Sequence, residues 1–142
     1  MKNRLWIITS GVILVNFALV LCFRRSLPEI LPFHISLDGS YASTMPYSRL
    51  FMYPATSFVL ATGIYLLASI AFRLFPALND SKGIRMTTVD ILVLGFSLII
   101  LSSTCVSLTM GKVHFFMFAE PVILLLMVAA AIIGEIQIKK SK

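Results

Sequence analysis

The sequence predicts an all-α membrane protein with four transmembrane helices, and three observations lead to this class. Of the 142 residues, 58% are hydrophobic, and the mean hydropathy of +0.95 is far above that of a soluble domain. Charged residues make up only 13% and cluster between long apolar runs. Four of these runs reach the length of about 18 residues needed to cross a bilayer. We expect helices at residues 5–23, 50–72, 89–108 and 115–133, within one integral membrane domain spanning residues 1–142.

The positive charge of the chain indicates a membrane topology. The formal net charge is +6, but the basic residues lie in short flanks of the apolar runs, where they contact headgroups, so we expect no nucleic-acid partner. Both termini and the middle loop hold Lys2, Arg4, Arg73, Lys82, Arg85, Lys139, Lys140 and Lys142, whereas the other side holds Arg24, Arg25, Arg49 and Lys112. The positive-inside rule therefore places both termini in the cytoplasm of a cell-membrane protein.

The segment Leu27–Gly39, which we call the cap, separates the first two predicted helices. Pro28 and Pro32 each fix φ and remove a backbone donor, so the first helix must end before them. After Pro32, apolar and polar residues alternate with the period of a half-buried strand. Asp38-Gly39 is a typical hairpin dipeptide, and residues 40–43 could form the return strand. We therefore predict a short extracytoplasmic cap containing a β-hairpin.

The third helix has two features of its own. Thr87 to Asp90 resembles a capping box, which predicts a helix start here with Asp90 in the first turn. The helix also carries many small hydroxyl residues, which let helices approach closely and bond across their interface. A packing face is the favoured interpretation and a polar conduit the alternative for Ser97, Ser102, Ser103, Thr104 and Ser107.

Glu120 is a carboxylate inside the fourth apolar run. It lies six residues beyond His114, which corresponds to a depth of roughly 9 Å at 1.5 Å per residue. An intramembrane carboxylate needs a partner, a proton or water. We predict Arg49, at the outer start of the second helix, as that partner. The pair is either structural, with Glu120 ion-paired or protonated, or it couples to ions or protons.

The chain shows no spacing typical of a metal or enzyme site. His34 and His114 fall on the same outer side, where Asp38 or Glu120 could join them, but no H-x-x-x-H, H-E-x-x-H or C-x-x-C spacing is present. We expect His34 to satisfy backbone groups of the cap and His114 to lie at the headgroups, with no metal and no cofactor. Nucleophile, phosphate-loop and dinucleotide motifs are missing from the sequence, so we expect no enzymatic activity.

The cap also carries a resemblance to a known family. The pattern Leu-Pro-x-x-Leu-Pro-x-His-x-x-x-x-Gly, followed by a basic residue and a helix opening near a proline, resembles the domain of unknown function 1648 family of SdpI-like bacterial immunity proteins. The matching positions are Leu27, Pro28, Pro32, His34, Gly39, Arg49 and Pro54. Members usually have Asn two positions after the histidine, where this chain has Ser36. The resemblance covers about the first half of the chain.

Two functions follow as hypotheses. The resemblance implies a prokaryotic multi-pass membrane protein without enzymatic activity, which acts in immunity or signalling through the cap and has a toxin or a membrane-sequestered regulator as partner. The alternative is a small transporter or ion-coupled subunit that uses Glu120, Arg49 and the third helix. A transporter of four helices would need to oligomerise to enclose a path.

Overall fold

A computed structural model describes the backbone of residues 4–35, 41–109 and 115–140, and within these ranges the side chains of residues 5–31, 43–109 and 118–140. Four helices in it are long and apolar enough to span a membrane, as predicted. The elements are α1 (Arg4–Phe23), β1 (Ile30–Ile35), β2 (Tyr41–Pro46), a 3-10 helix (Tyr47–Phe51), α2 (Met52–Leu74), a second 3-10 helix (Pro76–Ser81), α3 (Lys82–Leu108) and α4 (Phe115–Lys140).

The start of α3 differs from the prediction. The helix begins at Lys82, not near residue 89, so the expected loop is a short 3-10 turn and Asp90 lies well inside the helix. The hydroxyls of Thr87 and Thr88 donate to the carbonyls of Gly83 and Ile84, 3.0 and 3.1 Å away. A threonine inside a helix often donates its hydroxyl in this way to a carbonyl of the preceding turn. The capping-box prediction is therefore wrong, because both hydroxyls are already used within the helix.

Helix α3 is the central element, with neighbours on two opposite sides. On one side its Val93 packs with Ile13 of α1 and Ala61 of α2 in a buried apolar cluster. On the other side Gly95 faces Met127 of α4. Positions 93 and 95 point about 200° apart around a helix, so the two interfaces do not overlap. All three other helices thus pack on α3.

Helices α3 and α4 run antiparallel and approach closely. From one end of the pair to the other, Thr88 faces Gly134, Gly95 faces Met127 and Ser103 faces Glu120. A Cβ added to Gly134 would lie 2.6 Å from the Thr88 hydroxyl, and one added to Gly95 would overlap the Met127 side chain. The missing side chains let each glycine accept a side chain of the facing helix. Helix α4 continues to Lys140, beyond its predicted end at residue 133.

A two-stranded antiparallel hairpin joins α1 to α2. Strands β1 and β2 pair with Leu31 opposite Met45. These two side chains form a buried cluster with Val20 of α1 and Leu50 of the first 3-10 helix. The cluster anchors the hairpin on the ends of the helices. Residues 36–40, which include the predicted Asp38-Gly39 turn, lie outside the described residues.

Tyr47, which follows the second strand, makes two hydrogen bonds, one of them to α1. Its backbone N–H donates to the Glu29 carbonyl at 2.8 Å, and its hydroxyl donates to the Val20 carbonyl at 3.0 Å. Val20 lies in the last turn of α1, where carbonyls lack partners within the helix. One side chain therefore satisfies the helix end and holds the returning chain beside it.

Candidate functional site

The structure gives Glu120 a partner other than the predicted one. The Ser103 hydroxyl of α3 donates to Glu120 Oε1 at 2.6 Å, a short distance typical of a charge-assisted bond. Within the part of the chain whose side chains are described, no ion pair joins Glu120 to Arg49. The sequence placed both residues in the same leaflet, but it did not show that the α3–α4 contact positions Glu120 against a hydroxyl of its neighbour.

Arg49 lies instead at a pocket beside the hairpin. The pocket has a volume of about 390 Å³ and is open to the surroundings. Strand β2, the first 3-10 helix, the start of α2 and one turn of α3 enclose it. Its lining residues are Thr44, Met45, Arg49, Met52, Tyr53, Thr56 and Ile100.

The pocket combines one cationic side chain with hydroxyls and an apolar surface. Arg49 supplies a guanidinium, which binds phosphate and carboxylate groups through paired donors. Thr44, Tyr53 and Thr56 add hydroxyls, while the two methionines and Ile100 form an adaptable apolar surface. A few polar groups on an otherwise apolar concave surface are typical of small-molecule sites. A side-chain hydrogen bond to Ser107 holds Tyr53 against α3.

A second carboxyl within a long apolar helix, Asp90, lies on the opposite side of α3 from the Ser103–Glu120 contact. It is only 2% exposed, and its Oδ1 accepts a hydrogen bond from the Tyr65 hydroxyl of α2 at 2.7 Å. Sequence reasoning missed this pair because it placed Asp90 at a helix end. Two signals could have found it: Asp90 precedes Ser97 by seven residues, and Tyr65 lies in the middle of an apolar run.

The other predicted site residues have these positions. Leu27 packs against the cluster beneath the hairpin, and Pro28 is exposed. In the sheet, Pro32 lies opposite Thr44 and His34 opposite Ser43. The side chains of His34, Asp38 and His114, as well as Gly39, fall outside the described part of the structure. Among the side chains that are described, no three His, Cys, Asp or Glu residues form a group suited to a metal ion.

Comparison with known proteins gives no assignment. No family model matches the chain, and neither a curated protein nor a solved structure matches it.

Proposed function

We propose that this chain is a non-enzymatic, multi-pass membrane protein of SdpI-like type, which binds an amphipathic anionic ligand in the Arg49 pocket and acts in immunity or signalling. The observation that carries the proposal is the pocket itself, because among its described lining residues the charged one is Arg49, set among hydroxyls and methionines. A secreted toxin or a membrane-sequestered regulator is the kind of partner that the resemblance of the cap implies.

The proposed orientation places the pocket on the outer side of the cell membrane. The lysine and arginine distribution favours cytoplasmic termini, which puts the hairpin and the start of α2 outside. At this level an arginine can reach the headgroup region while its aliphatic stem covers apolar surface. A ligand arriving from outside or from the outer leaflet would meet Arg49 first.

Dodecyl phosphate is a suitable probe because it combines a phosphate with an alkyl chain. We expect it to raise the melting temperature of the protein solubilised in neutral detergent. At about a hundred times its dissociation constant, a ligand that binds only the folded state stabilises it by about 2.7 kcal/mol. Arg49→Ala should remove the stabilisation, while Arg49→Lys should keep part of it, since lysine retains the charge but loses the paired donors.

Arg73→Ala is the matched control, because Arg73 is an exposed arginine at the opposite end of α2. This variant should respond to dodecyl phosphate like the wild type. Dodecanol, which lacks the anion, should have little effect on any variant. An equal response of Arg49→Ala and wild type to dodecyl phosphate would contradict the proposal.

The second candidate function is ion or proton coupling through Glu120, and its hydrogen bond to Ser103 favours it. A carboxylate that an arginine neutralises is a structural ion pair, whereas one bonded to a neutral hydroxyl leaves its charge for a proton or a cation to compensate. Under this hypothesis the remaining hydroxyls of α3 would line a polar conduit rather than form a packing face.

Glu120→Gln tests this candidate because it keeps the shape and the hydrogen bond. We expect its free energy of unfolding to change by less than about 1 kcal/mol, since glutamine can still accept from Ser103. Liposomes loaded with a pH-sensitive dye measure how fast an imposed pH gradient collapses. Under coupling, wild-type liposomes lose the gradient faster than those with Glu120→Gln. Equal rates in the two kinds of liposome would exclude a coupling role for Glu120.

A further inference from the structure

The interface between α1, α2 and α3 has a layered arrangement. The middle layer is the apolar cluster of Ile13, Ala61 and Val93. One helical turn from it towards the hairpin, each helix contributes a buried polar residue. We call these three residues the polar layer: Asn16, Ser57 and Ser97. One turn in the other direction lie Asp90 and its donor Tyr65.

The polar layer contains hydrogen-bonding atoms that the protein itself does not satisfy. Asn16 is 1% exposed, and neither its Oδ1 nor its Nδ2 has a partner within the described residues. The Ser57 hydroxyl, on a residue also 1% exposed, is in the same situation. Buried polar groups are nearly always bonded to protein or to ordered water. These atoms therefore indicate a bound partner at the centre of the helices.

The chemistry of the unpaired atoms identifies the partner. Asn16 presents both an acceptor and a donor, and Ser57 presents a hydroxyl that can do either. A metal cation would bond the oxygens but leave the amide N–H groups unpaired, and an apolar molecule would satisfy neither. Water donates and accepts, and a buried water typically makes about three hydrogen bonds. The polar layer offers that number of side chains.

Asp90 lies two helical turns from Ser97 on the same face of α3. From α2 the facing titratable groups are Tyr65, which donates to Asp90, and Tyr53, which lies one turn beyond Ser57 and is bonded to Ser107. From α1, residues 5–21 contain no titratable side chain. On α4, Glu135 lies beside Thr88 and Arg85, and Thr88 points about 200° away from Asp90 around α3. Asp90 has no cation partner among the described residues, and Tyr65 is a neutral donor, so the charge of an ionised Asp90 would have no opposite charge beside it.

We propose that the polar layer holds ordered water and that this water is the route by which Asp90 exchanges its proton. In the step, the O–H bond of the Asp90 carboxyl breaks and its electron pair stays on the carboxylate, which keeps the bond from Tyr65. The proton forms a third O–H bond on a neighbouring water, and that water passes a proton to the water of the polar layer. Protonation of Asp90 is the reverse.

Ala61 is the position that controls the route. Asp90 and Ser97 are seven residues apart on α3, roughly 10 Å along the axis, and the apolar layer lies between them. Ala61 has the smallest side chain of that layer and lies on α2 between Tyr65 and Ser57. A larger side chain there would close the connection without touching a polar atom. The route does not use Arg49 or Glu120. A test of the route is therefore independent of the proposed function.

Infrared spectroscopy of the protein in liposomes tests this proposal, in a Glu120→Gln background that removes the carboxyl bonded to Ser103. We expect a protonated-carboxyl band that Asp90→Asn removes and that shifts when the buffer is changed to D₂O. Asn16→Leu and Ala61→Leu should slow the deuterium shift roughly tenfold or more, because each removes a water bridge from the transfer path. Ala55→Leu is the control, since Ala55 is exposed on the same helix, and it should exchange like the parent.

Two results of this experiment would overturn the proposal. If Asp90→Asn removes no carboxyl band at any pH at which the protein is folded, Asp90 does not exchange a proton and the proposal is overturned. The same follows if Asn16→Leu and Ala61→Leu exchange as fast as Ala55→Leu. Should the leucine variants fail to fold, Ser57→Ala removes only a hydroxyl without a protein partner, and it must also slow the exchange.

Discussion

Gly95→Leu is expected to disrupt the packing of α4 on α3. Even a Cβ at this position overlaps the Met127 side chain, which is itself buried. Leucine adds three more carbons, so the helices must separate along a contact that extends from Thr88–Gly134 to Ser103–Glu120. Overpacking a close interface typically costs about 1–3 kcal/mol, and we expect the upper end of this range because a Cβ alone already overlaps Met127. Unfolding in mixed micelles with increasing SDS measures the loss.

Gly63→Leu is the matched control for this prediction. Gly63 lies in the middle of α2, and a Cβ there would have no neighbour within 4 Å. Leucine should therefore be neutral or stabilising, by up to about 1 kcal/mol from its higher helix propensity. Gly95→Ala should lie between the two. Equal stability of Gly95→Leu and Gly63→Leu would show that α3 and α4 do not pack as described.

Leu50→Ala is expected to release the hairpin from the helix ends. Leu50 is fully buried against Val20, Leu31 and Met45. Truncating a buried leucine costs about 2–5 kcal/mol, depending on how far the site collapses. Because Met45 also lines the Arg49 pocket, the variant should lose most of the stabilisation by dodecyl phosphate as well. Thermal unfolding with and without the ligand measures both effects.

Leu67→Ala provides the comparison within α2. Leu67 is 67% exposed, so its truncation creates no internal cavity and should cost less than about 1 kcal/mol. It should also leave the ligand response unchanged. If Leu50→Ala kept the full response, the hairpin would not form a wall of the binding pocket.

The four helices were predictable because a bilayer imposes a length on every apolar run. Their ends were less predictable, since helix ends depend on local contacts that hydropathy does not record. The threonines at 87 and 88 resembled a helix start but bond back into a helix already begun. At the same end of the α3–α4 pair, Gly134 of α4 fits against Thr88, one residue beyond the predicted end of α4.

The sequence predicts individual residues of the candidate site but not which of them contact each other. Glu120 stands out in the sequence as a carboxylate within an apolar run, and pairing it with Arg49 assumes that opposite charges at similar depth meet. The side of α3 that each helix contacts decides the pairing, and that depends on where small residues permit close approach. The sequence alone does not distinguish Asn16 and Ser57 from other polar residues, because single polar residues are common in apolar helices. Their grouping into one polar layer depends on which residues of other helices lie beside them.

The central position of α3 has a consequence for biosynthesis. Helices α1 and α2 leave the ribosome first, yet α1 packs mainly against α3 rather than α2. Until α3 enters the membrane, Asn16 and Ser57 lack the surroundings that bury them, and Tyr65 lacks its carboxylate acceptor. Membrane helices can insert independently and associate afterwards, so α1 and α2 need not pack fully before α3 is present. Insertion of α3 is therefore the event that converts two loosely associated spans into a packed core, and α4 then adds to a surface already in place.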